Sequence, residues 1–222
     1  PLGENDRLLT ILTEENGISR LAIPGARKPK SRLGATSPLN FLDLHIVGKK
    51  SLKRVTQIKV LKSYGNLGKH LETLAAAQAI SELIILMVGN EDPQKDLLQL
   101  VLIHLNRLDI LHKTKFDSLQ ALAISVQSCI HLLALGGYCL PVHNCCHSGS
   151  KLIPPIGDWS WKVSFMPEEG FAIGVIPHAN IQLNPSELAL LQRLLRDPLP
   201  FHSNGKLLGP QNVWLKLLNI VE

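Results

Sequence analysis

Aromatic residues and cysteines are scarce in this sequence. Aromatic side chains make up 5% of the 222 residues, and cysteine occurs four times. Small secreted domains that depend on disulfides are much denser in cysteine, so we expect these four thiols to be reduced, as in the cytoplasm. The first 62 residues contain one aromatic residue, Phe41. That scarcity argues against the row of stacked bases on which sequence-tolerant single-strand binders rely.

Uninterrupted apolar runs are also missing. The two longest apolar stretches, 75–88 and 119–135, are broken by polar residues such as Gln78, Glu82 and His131. A membrane span needs about 20 predominantly apolar residues, so neither stretch predicts one. The opening residues show no charged segment followed by an apolar stretch and a small-residue cleavage site, so no secretory signal is predicted. The expected location is the cytoplasm.

Motifs for nucleotide binding and for acyl hydrolysis are absent from the sequence. Gly34, Gly48 and Gly174 are isolated, and neither a phosphate-binding glycine loop nor a Gly-x-Ser-x-Gly elbow occurs. The apolar content of 45% is that of an ordinary globular protein. Candidate catalytic chemistry is therefore sparse.

One segment, residues 139–147 (CLPVHNCCH), could hold a metal or a nucleophile. A zinc ribbon brings four ligands together from two turns, usually as two Cys-x-x-Cys pairs. Here Ser148 stands where the partner of Cys145 would be, no cysteine follows Cys146, and His178 is the later ligand nearest to the expected second pair. We predict partly buried thiols and no cofactor, with structural zinc as the less favoured alternative. A thiol or metal-dependent hydrolase centred on this segment is the enzymatic alternative.

Positive charge is concentrated in the first quarter of the chain. Residues 1–62 contain twelve Lys and Arg against five Asp and Glu, whereas residues 63–222 contain eleven against thirteen. A surplus confined to one part of a chain predicts a polyanion-binding module joined to a near-neutral one. A well-solvated charged face is the alternative.

Much of that surplus lies in the segment 23–38, IPGARKPKSRLGATSP. Pro24 and Pro29 restrict its backbone, so less conformational entropy is lost when the segment docks. Cations held on a loop beside a sheet neutralise phosphates and release counterions. We therefore predict contacts with a nucleic-acid backbone from this loop and from the neighbouring strands. The predicted contact residues are Arg7, Arg20, Arg27, Lys28, Lys30 and Arg32.

Four short strands are predicted around the basic loop. Two apolar runs flank Asn16-Gly17, which is a strong hairpin signal because both residue types tolerate positive φ. Residues 41–47 alternate apolar and polar side chains. In residues 52–61 the first apolar side chains are three apart instead of two, which predicts a bulge. The expected product is a small sheet or barrel.

Beyond Tyr64 the apolar pattern takes a helical period. Residues 69–88 predict a first helix, and Asp92-Pro93 predicts a capping residue followed by proline at the first position of a second helix. A stripe of leucines and Val101 follows. The inward face of the first helix is predicted to hold Leu71, Leu74, Ala75, Gln78 and Glu82.

The rest of the chain joins further helices to a different kind of segment. A third helix is predicted to begin at Asp117 or Ser118 and to stop at Gly136-Gly137, with Cys129 on its core-facing stripe. The next residues are rich in Pro and Gly and carry strand-like runs, and Asn184-Pro185-Ser186-Glu187 then predicts a capping box. Residues 210–221 predict a last helix. The predicted domains are 1–64, a barrel; 65–137, a helical bundle; 138–183, a β-rich insert; and 184–222, closing helices.

The N-terminal residues resemble a known family. The stretch PLGENDRLLTILTEENGISRLAIPGARKPKSRLGATSPLNFLDL, from its P-L-G-E-x-D-R-L opening through G-A-R-x-x-x-S-R-x-G-A, is similar to the N-terminal region of RecO, the bacterial recombination mediator. The helices from Leu67, the Leu-Gly-Gly-Tyr turn and the closing N-P-S-E-L-A-L-L-Q-R-L-L helix fit the same family in order. The resemblance covers nearly the whole chain.

The resemblance implies a multidomain α+β fold, in which an oligonucleotide-binding (OB) barrel precedes a mainly helical domain with a zinc-ribbon-like insert. It implies binding of single- and double-stranded DNA, strand annealing, and help in loading RecA onto strands coated with single-stranded DNA-binding protein. RecR and the tail of that coating protein are the implied partners, no catalytic turnover is implied, and the implied location is the bacterial cytoplasm, at the nucleoid. The alternative is an OB-fold RNA-binding protein, against which the helical domain argues.

Two departures from the family pattern affect these expectations. The family's chain begins with a further strand before PLGEN, so the barrel here is expected to lack its first strand. Many members carry two Cys-x-x-Cys pairs where this chain has NCCHSG and VIPHAN, so the metal is not transferred. An acidic protein tail needs a cation beside an apolar groove. The candidate cations are Arg107, Lys113, Lys115, Arg193 and Arg196.

Overall fold

The computed structural model describes residues 5–26, 28, 37–48, 53–89, 92–113 and 116–222. The chain divides into two compact units, Pro1–Phe116 and Asp117–Glu222. The first unit contains β1 (Arg7–Thr13), β2 (Gly17–Ile23), β3 (Asn40–Val47), β4 (Lys53–Ser63), α1 (Leu71–Met87) and α2 (Lys95–Ile110). The second contains α3 (Ser118–Leu135), β5 (Val163–Met166), β6 (Gly170–Ile173), β7 (Ile181–Leu183), α4 (Pro185–Arg193) and α5 (Gln211–Val221).

The α+β class predicted from the sequence is confirmed, because an N-terminal sheet precedes a mainly helical C-terminal part. The two compact units place α1 and α2 with the N-terminal sheet, and α3 with the insert and the closing helices. The finer division at residues 64, 137 and 183 stays a prediction.

The N-terminal sheet has the strand order β1-β2-β4-β3. β1 and β2 form the predicted hairpin, and Gly17 at its turn has φ 56°. A side chain there would place its Cβ 2.7 Å from the carbonyl oxygen of Gly89 and 2.8 Å from that of Asp92. Glycine is therefore required both by the turn and by the segment packed against it.

The predicted bulge is confirmed in β4. Ile46 pairs with Val55 and His45 pairs with Gln57, which leaves Thr56 as the extra residue. The Thr56 hydroxyl donates to the carbonyl oxygen of His45 at 3.1 Å, so the unpaired position still has a partner. Because of the bulge, Val55 and Ile58, which are three positions apart, both face the apolar cluster on one side of the sheet. That cluster is Leu21, Ile23, Ala26 and Val55, with Leu9, Ile11, Leu44, Ile46 and Ile58 packed against it.

The predicted inward face of α1 is wrong. Leu71 is 78% exposed, and the predicted positions Ala75, Gln78 and Glu82 are exposed too. Apolar residues occur almost all round this helix, so their spacing alone does not select a face. The hydroxyl of Thr73 donates to the carbonyl oxygen of Leu67 at 2.8 Å and faces inward. The buried residues of α1 are Thr73, Ala76, Ala77, Ile80 and Ile84.

The predicted start of α2 is also wrong, although its apolar stripe is confirmed. The helix begins at Lys95, and its N-cap residue, Gln94, makes no side-chain capping bond. The backbone N–H of Gln94 instead donates to the carbonyl oxygen of Glu14 at 2.7 Å. That bond ties the segment to the β1–β2 turn, so Asp92-Pro93 belongs to the connection. The buried stripe residues include Leu97, Val101, Leu105 and Leu108.

α3 is the core helix of the second unit. It begins after Asp117, whose carboxylate accepts the backbone N–H of Leu119, and it ends at Gly136, as predicted. By length and composition alone it could cross a membrane, but 56% of that window is buried inside the structure. Cys129 is buried on it as predicted, and burial raises the pKa of this thiol to about 11. Cys129 is therefore a packing residue.

The insert and the closing helices follow α3. The insert forms a small sheet in the order β6-β5-β7, with strands shorter than the predicted runs. The capping box of α4 is confirmed: Asn184 Oδ1 accepts from Glu187 N, and Glu187 Oε2 accepts from Asn184 N, both at 2.9 Å. The predicted last helix is α5, which packs against α3 and buries Trp214 completely.

Candidate functional site

The predicted cations fall partly within the described residues. Arg7, Arg20 and Lys28 are described, whereas Arg27, Lys30 and Arg32 lie outside the described residues. Lys28 is exposed, and its backbone N–H donates to the carbonyl oxygen of Gly25 at 3.1 Å. Gly25 N in turn donates to the carboxylate of Asp6 at 2.8 Å. The basic loop therefore leaves β2 through a hydrogen-bonded turn.

The sheet does not bring Arg7 and Arg20 together. Arg7 pairs with Ile23 and shares the face of the apolar cluster, where it is half-buried. Arg20 pairs with Thr10, three positions from Arg7 along β1, and is exposed. Side chains alternate faces along a strand, so an odd offset puts the two arginines on opposite faces. Arg20 marks the outer face, and Arg7 lies at the end of the inner one.

A second arginine lies beside Arg20 on the outer face. β2 and β4 are parallel, and Arg54 pairs with Ala22, two positions along β2 from Arg20. Neighbouring strands lie about 4.8 Å apart and two residues span about 6.6 Å, which places the two Cα atoms roughly 8 Å apart. Arg20 and Arg54 are both exposed, and within the described ranges neither forms an ion pair. We call this pair, Arg20 with Arg54, the outer-face arginine pair.

The sequence contained half of what was needed to find Arg54. Alternation along β4 puts it on the face opposite its apolar neighbour Val55, which is buried in the apolar cluster. The missing information was the parallel pairing of β2 with β4, which joins strands that are not consecutive. Lys59 lies further along the same outer face, and its cross-strand neighbour on β3, Asp43, carries the opposite charge.

Lys62 is a cation with a structural role. Its ammonium group hydrogen-bonds to Asn106, lies 3.9 Å from an oxygen of Asp109, and sits 4.6 Å from the ring centre of Tyr64. The Tyr64 hydroxyl also donates to Asn106, at 3.0 Å. Burial, and then the charge of Asp109, raise the pKa of Tyr64. These contacts fasten the end of β4 to α2 and occupy Lys62, so it is not counted with the nucleic-acid contacts.

The insert does not fit the four-ligand zinc ribbon. Burial raises the pKa of Cys145, but hydrogen bonds from the Ser148 side chain and from the backbone of Ile173, Ser148 and His147 outweigh it and lower that pKa to about 7. The Ile173 N–H lies 3.4 Å from the Cys145 sulfur. In the described residues, no cluster of three close ligand atoms includes Cys145. The inward thiol is thus held by hydrogen-bond donors, and no chemistry is assigned to a ribbon metal.

The second unit contains an apolar groove with a volume of about 440 Å³. Leu190, Leu208 and other apolar side chains line it, together with Trp159, which is 66% exposed. Arg193 lies on its wall at the end of α4. Lys115 lies outside the described residues. Of the other four cations predicted to receive an acidic tail, Arg193 is the one that lines this groove.

The groove depends on the capping box of α4, because Asn184 and Glu187 both line it. We expect Asn184→Ala to lower the free energy of unfolding by about 1 kcal/mol, since the side-chain bond to Glu187 N is lost. Urea titration followed by circular dichroism measures it. Ser186→Ala is the matched control, since Ser186 lines the groove without forming part of the capping box. Equal unfolding midpoints for the two variants would contradict the assignment.

Comparisons with known proteins agree on one family. Residues 1–64 match the family described as "Recombination protein O N terminal", and residues 68–222 match "Recombination protein O C terminal". A protein named DNA repair protein RecO from Prochlorococcus marinus (strain MIT 9303) is 56% identical over 223 residues, which cover 100% of this chain and 84% of the relative.

Two further relatives carry the same name. The protein from Synechococcus sp. (strain WH7803) is 56% identical over 223 residues, covering 100% of this chain and 83% of the relative. The protein from Trichodesmium erythraeum (strain IMS101) is 36% identical over 214 residues, covering 87% of this chain and 74% of the relative. Both are named DNA repair protein RecO. The chain belongs to the RecO family of DNA repair and recombination proteins.

Proposed function

We propose that this protein is a recombination mediator that binds the phosphate backbone of single- and double-stranded DNA, anneals complementary strands and helps RecA replace single-stranded DNA-binding protein. The observation that carries the proposal is the outer-face arginine pair: two exposed arginines from non-consecutive strands lie side by side on one face of the N-terminal sheet. Arginine pairs with phosphate through two parallel hydrogen bonds. The segment that follows Gly25 in the sequence adds the other predicted phosphate contacts, Arg27, Lys28, Lys30 and Arg32.

The sheet supports an OB-type barrel. The central parallel pair joins β2 to β4, and β3 returns to the outside of β4, as in a Greek-key arrangement. Among the described residues, β1 and β3 are the edge strands. One further strand between these two edges would close a five-stranded barrel around the apolar cluster. Closure would also remove two open edges, which proteins otherwise have to protect.

The chemistry of the interface favours backbone contacts over base reading. On the outer face, Arg20 and Arg54 supply positive charge. The four strands contain a single aromatic residue, Phe41, and its side chain is half-buried. Phosphate contacts carry no sequence information. Such a surface suits a protein that must handle single strands and duplexes of any sequence, and no covalent step is required of it.

The apolar groove supports a peptide partner. An acidic tail ending in apolar residues would place those residues against Leu190 and Leu208 and an acidic group at Arg193. We propose the tail of single-stranded DNA-binding protein as the occupant. RecR and the nucleoid location are proposed from family membership alone, with no surface assigned.

The experiment that tests this function is strand annealing on complementary DNA coated with the cognate single-stranded DNA-binding protein. The protein is expected to accelerate annealing of both naked and coated strands. If it accelerates neither, the mediator function is wrong. Competition between matched DNA and RNA oligonucleotides tests the RNA-binding alternative, which requires the RNA to bind more tightly because of its 2′-hydroxyl groups.

Arg193→Glu should separate annealing of strands coated with single-stranded DNA-binding protein from annealing of naked strands. A charged hydrogen bond is worth about 1.5–3 kcal/mol, so binding of a synthetic tail peptide, measured by fluorescence anisotropy, should weaken at least tenfold. Annealing of coated strands should slow, while annealing of naked strands should not change.

Arg196→Glu is the matched control for this variant. It makes the same charge change three residues later, where the side chain is exposed and does not line the groove. Peptide binding that is equally weak in both variants would show a general charge effect. Unchanged binding in Arg193→Glu would remove the groove from the proposal.

A further inference from the structure

We propose that the insert binds a divalent, thiophilic metal ion on Cys146, His147 and Glu169, on the outward side of the turn that buries Cys145. The sulfur of Cys146, a ring nitrogen of His147 and a carboxylate oxygen of Glu169 all lie within 4.8 Å of one another. In the part of the chain that the structure describes, this is the one cluster of three close ligand atoms from His, Cys, Asp and Glu. All three residues are exposed, so an ion can reach them.

Two turns present these ligands, and the backbone holds the turns together. Cys146 N donates to the carbonyl oxygen of Phe171 at 2.8 Å, and Glu169 N donates to that of Met166 at 3.2 Å, closing the β5–β6 hairpin. Gly170 has φ 105°, and a Cβ there would lie 2.9 Å from the Pro141 ring. Because residue 170 is glycine, the β5–β6 hairpin can pack closely against residues 139–147, which we call the cysteine turn. The ligands are therefore largely positioned before any ion arrives.

The ligand separations suit a tetrahedral ion. Bonds of about 2.0–2.1 Å from zinc to nitrogen and to oxygen, at a tetrahedral angle, separate those two atoms by about 3.3 Å. His147 Nε2 lies 3.1 Å from Glu169 Oε2. The Cys146 sulfur needs only a side-chain adjustment to complete the set, and its thiol proton leaves to solvent when the metal bonds form. Three protein ligands leave a fourth position for water.

Sulfur, nitrogen and oxygen ligands together select zinc, cobalt or cadmium over magnesium or calcium, which prefer oxygen alone. The proposed site uses the thiol of Cys146, whereas a ribbon site would use that of Cys145. The Cys145 sulfur points inward and is occupied by hydrogen-bond donors, whereas Cys146 points outward beside His147. A bound ion would join residues 146–147 to residue 169, and so fasten the cysteine turn to the tip of the β5–β6 hairpin.

The test is a Co²⁺ titration of the whole, metal-free chain, followed by optical absorption. Binding at one equivalent with a thiolate-to-cobalt charge-transfer band in the near ultraviolet is expected. Zn²⁺ should displace that signal. In Cys146→Ser the band should disappear, and in Glu169→Gln the affinity should fall at least tenfold.

Cys139→Ser provides the matched control, because Cys139 is another exposed cysteine of the insert that lies outside the cluster. It should leave the titration unchanged. The proposal is overturned if the band survives in Cys146→Ser, if it disappears in Cys139→Ser, or if no cobalt binds to wild-type protein. Circular dichroism of each variant keeps loss of folding apart from loss of a ligand.

Discussion

Replacing both members of the outer-face arginine pair, Arg20→Glu with Arg54→Glu, is expected to weaken DNA binding about 100-fold. A hydrogen bond to a charged group contributes about 1.5 kcal/mol or more, and two such contacts amount to a factor of about 100. The dependence of affinity on salt should fall as well. Each phosphate contact contributes about 0.7 to the log–log slope for single strands and about 0.9 for duplexes, so the slope should decrease by about 1.4 to 1.8.

Fluorescence anisotropy with labelled single-stranded and duplex DNA, at several salt concentrations, measures both quantities. The control is Lys95→Glu with Lys206→Glu, which makes the same change in net charge at two exposed lysines that are not part of the sheet. If both double variants lose affinity equally, net charge and not this face controls binding. If the arginine variant keeps both its affinity and its slope, DNA does not bind to this face.

The elements that the sequence predicted well are those set by neighbours along the chain. The hairpin at Gly17 follows from one residue's tolerance of positive φ, and the capping box follows from Asn184 and Glu187 three residues apart. The bulge at Thr56 was visible as a break in an otherwise alternating strand. Each of these features is determined by interactions among a few residues that are close in the sequence, so the local pattern is enough to predict it.

The features that the sequence did not reveal depend on contacts between distant residues. Arg7 and Arg20 looked like one patch, but the β1–β2 register puts them on opposite faces, because three positions is an odd offset. Arg54 joined the candidate site only through a parallel pairing of non-consecutive strands. The face of α1 was misassigned because Leu71 is as apolar as the buried Ile80, and only packing distinguishes them.

The insert illustrates the same limit for chemistry. Adjacent residues Cys145 and Cys146 are equivalent in the sequence, yet one sulfur is buried among donors and the other is exposed beside His147. Glu169, the residue that turns the outward pair into a cluster of three ligands, is more than twenty positions away. The sequence predicted that a standard ribbon was incomplete, but it could not predict which thiol faced out.

The largest loss of stability is expected from Trp214→Ala, at about 3–5 kcal/mol in the second unit. Trp214 is 0% exposed on α5, and its indole N–H donates to the carbonyl oxygen of Leu208 at 2.9 Å. Truncation removes the side-chain packing, leaves a cavity and leaves that carbonyl without its partner. Trp214→Phe keeps most of the packing and loses the hydrogen bond, so it should cost less.

Hydrogen exchange read by mass spectrometry suits this measurement, because it follows each unit separately. It also does not depend on tryptophan fluorescence, which the loss of Trp214 would itself change. Amides of α3 and α5 should exchange faster in Trp214→Ala, whereas those of the N-terminal sheet should not. Trp214 does not line the apolar groove, but Leu208, which its indole holds, does. The variant should therefore also bind the tail peptide more weakly than wild type, although every groove residue is unchanged. Full peptide affinity together with fast exchange in α5 would mean that the position of Leu208 in the groove does not depend on the indole of Trp214.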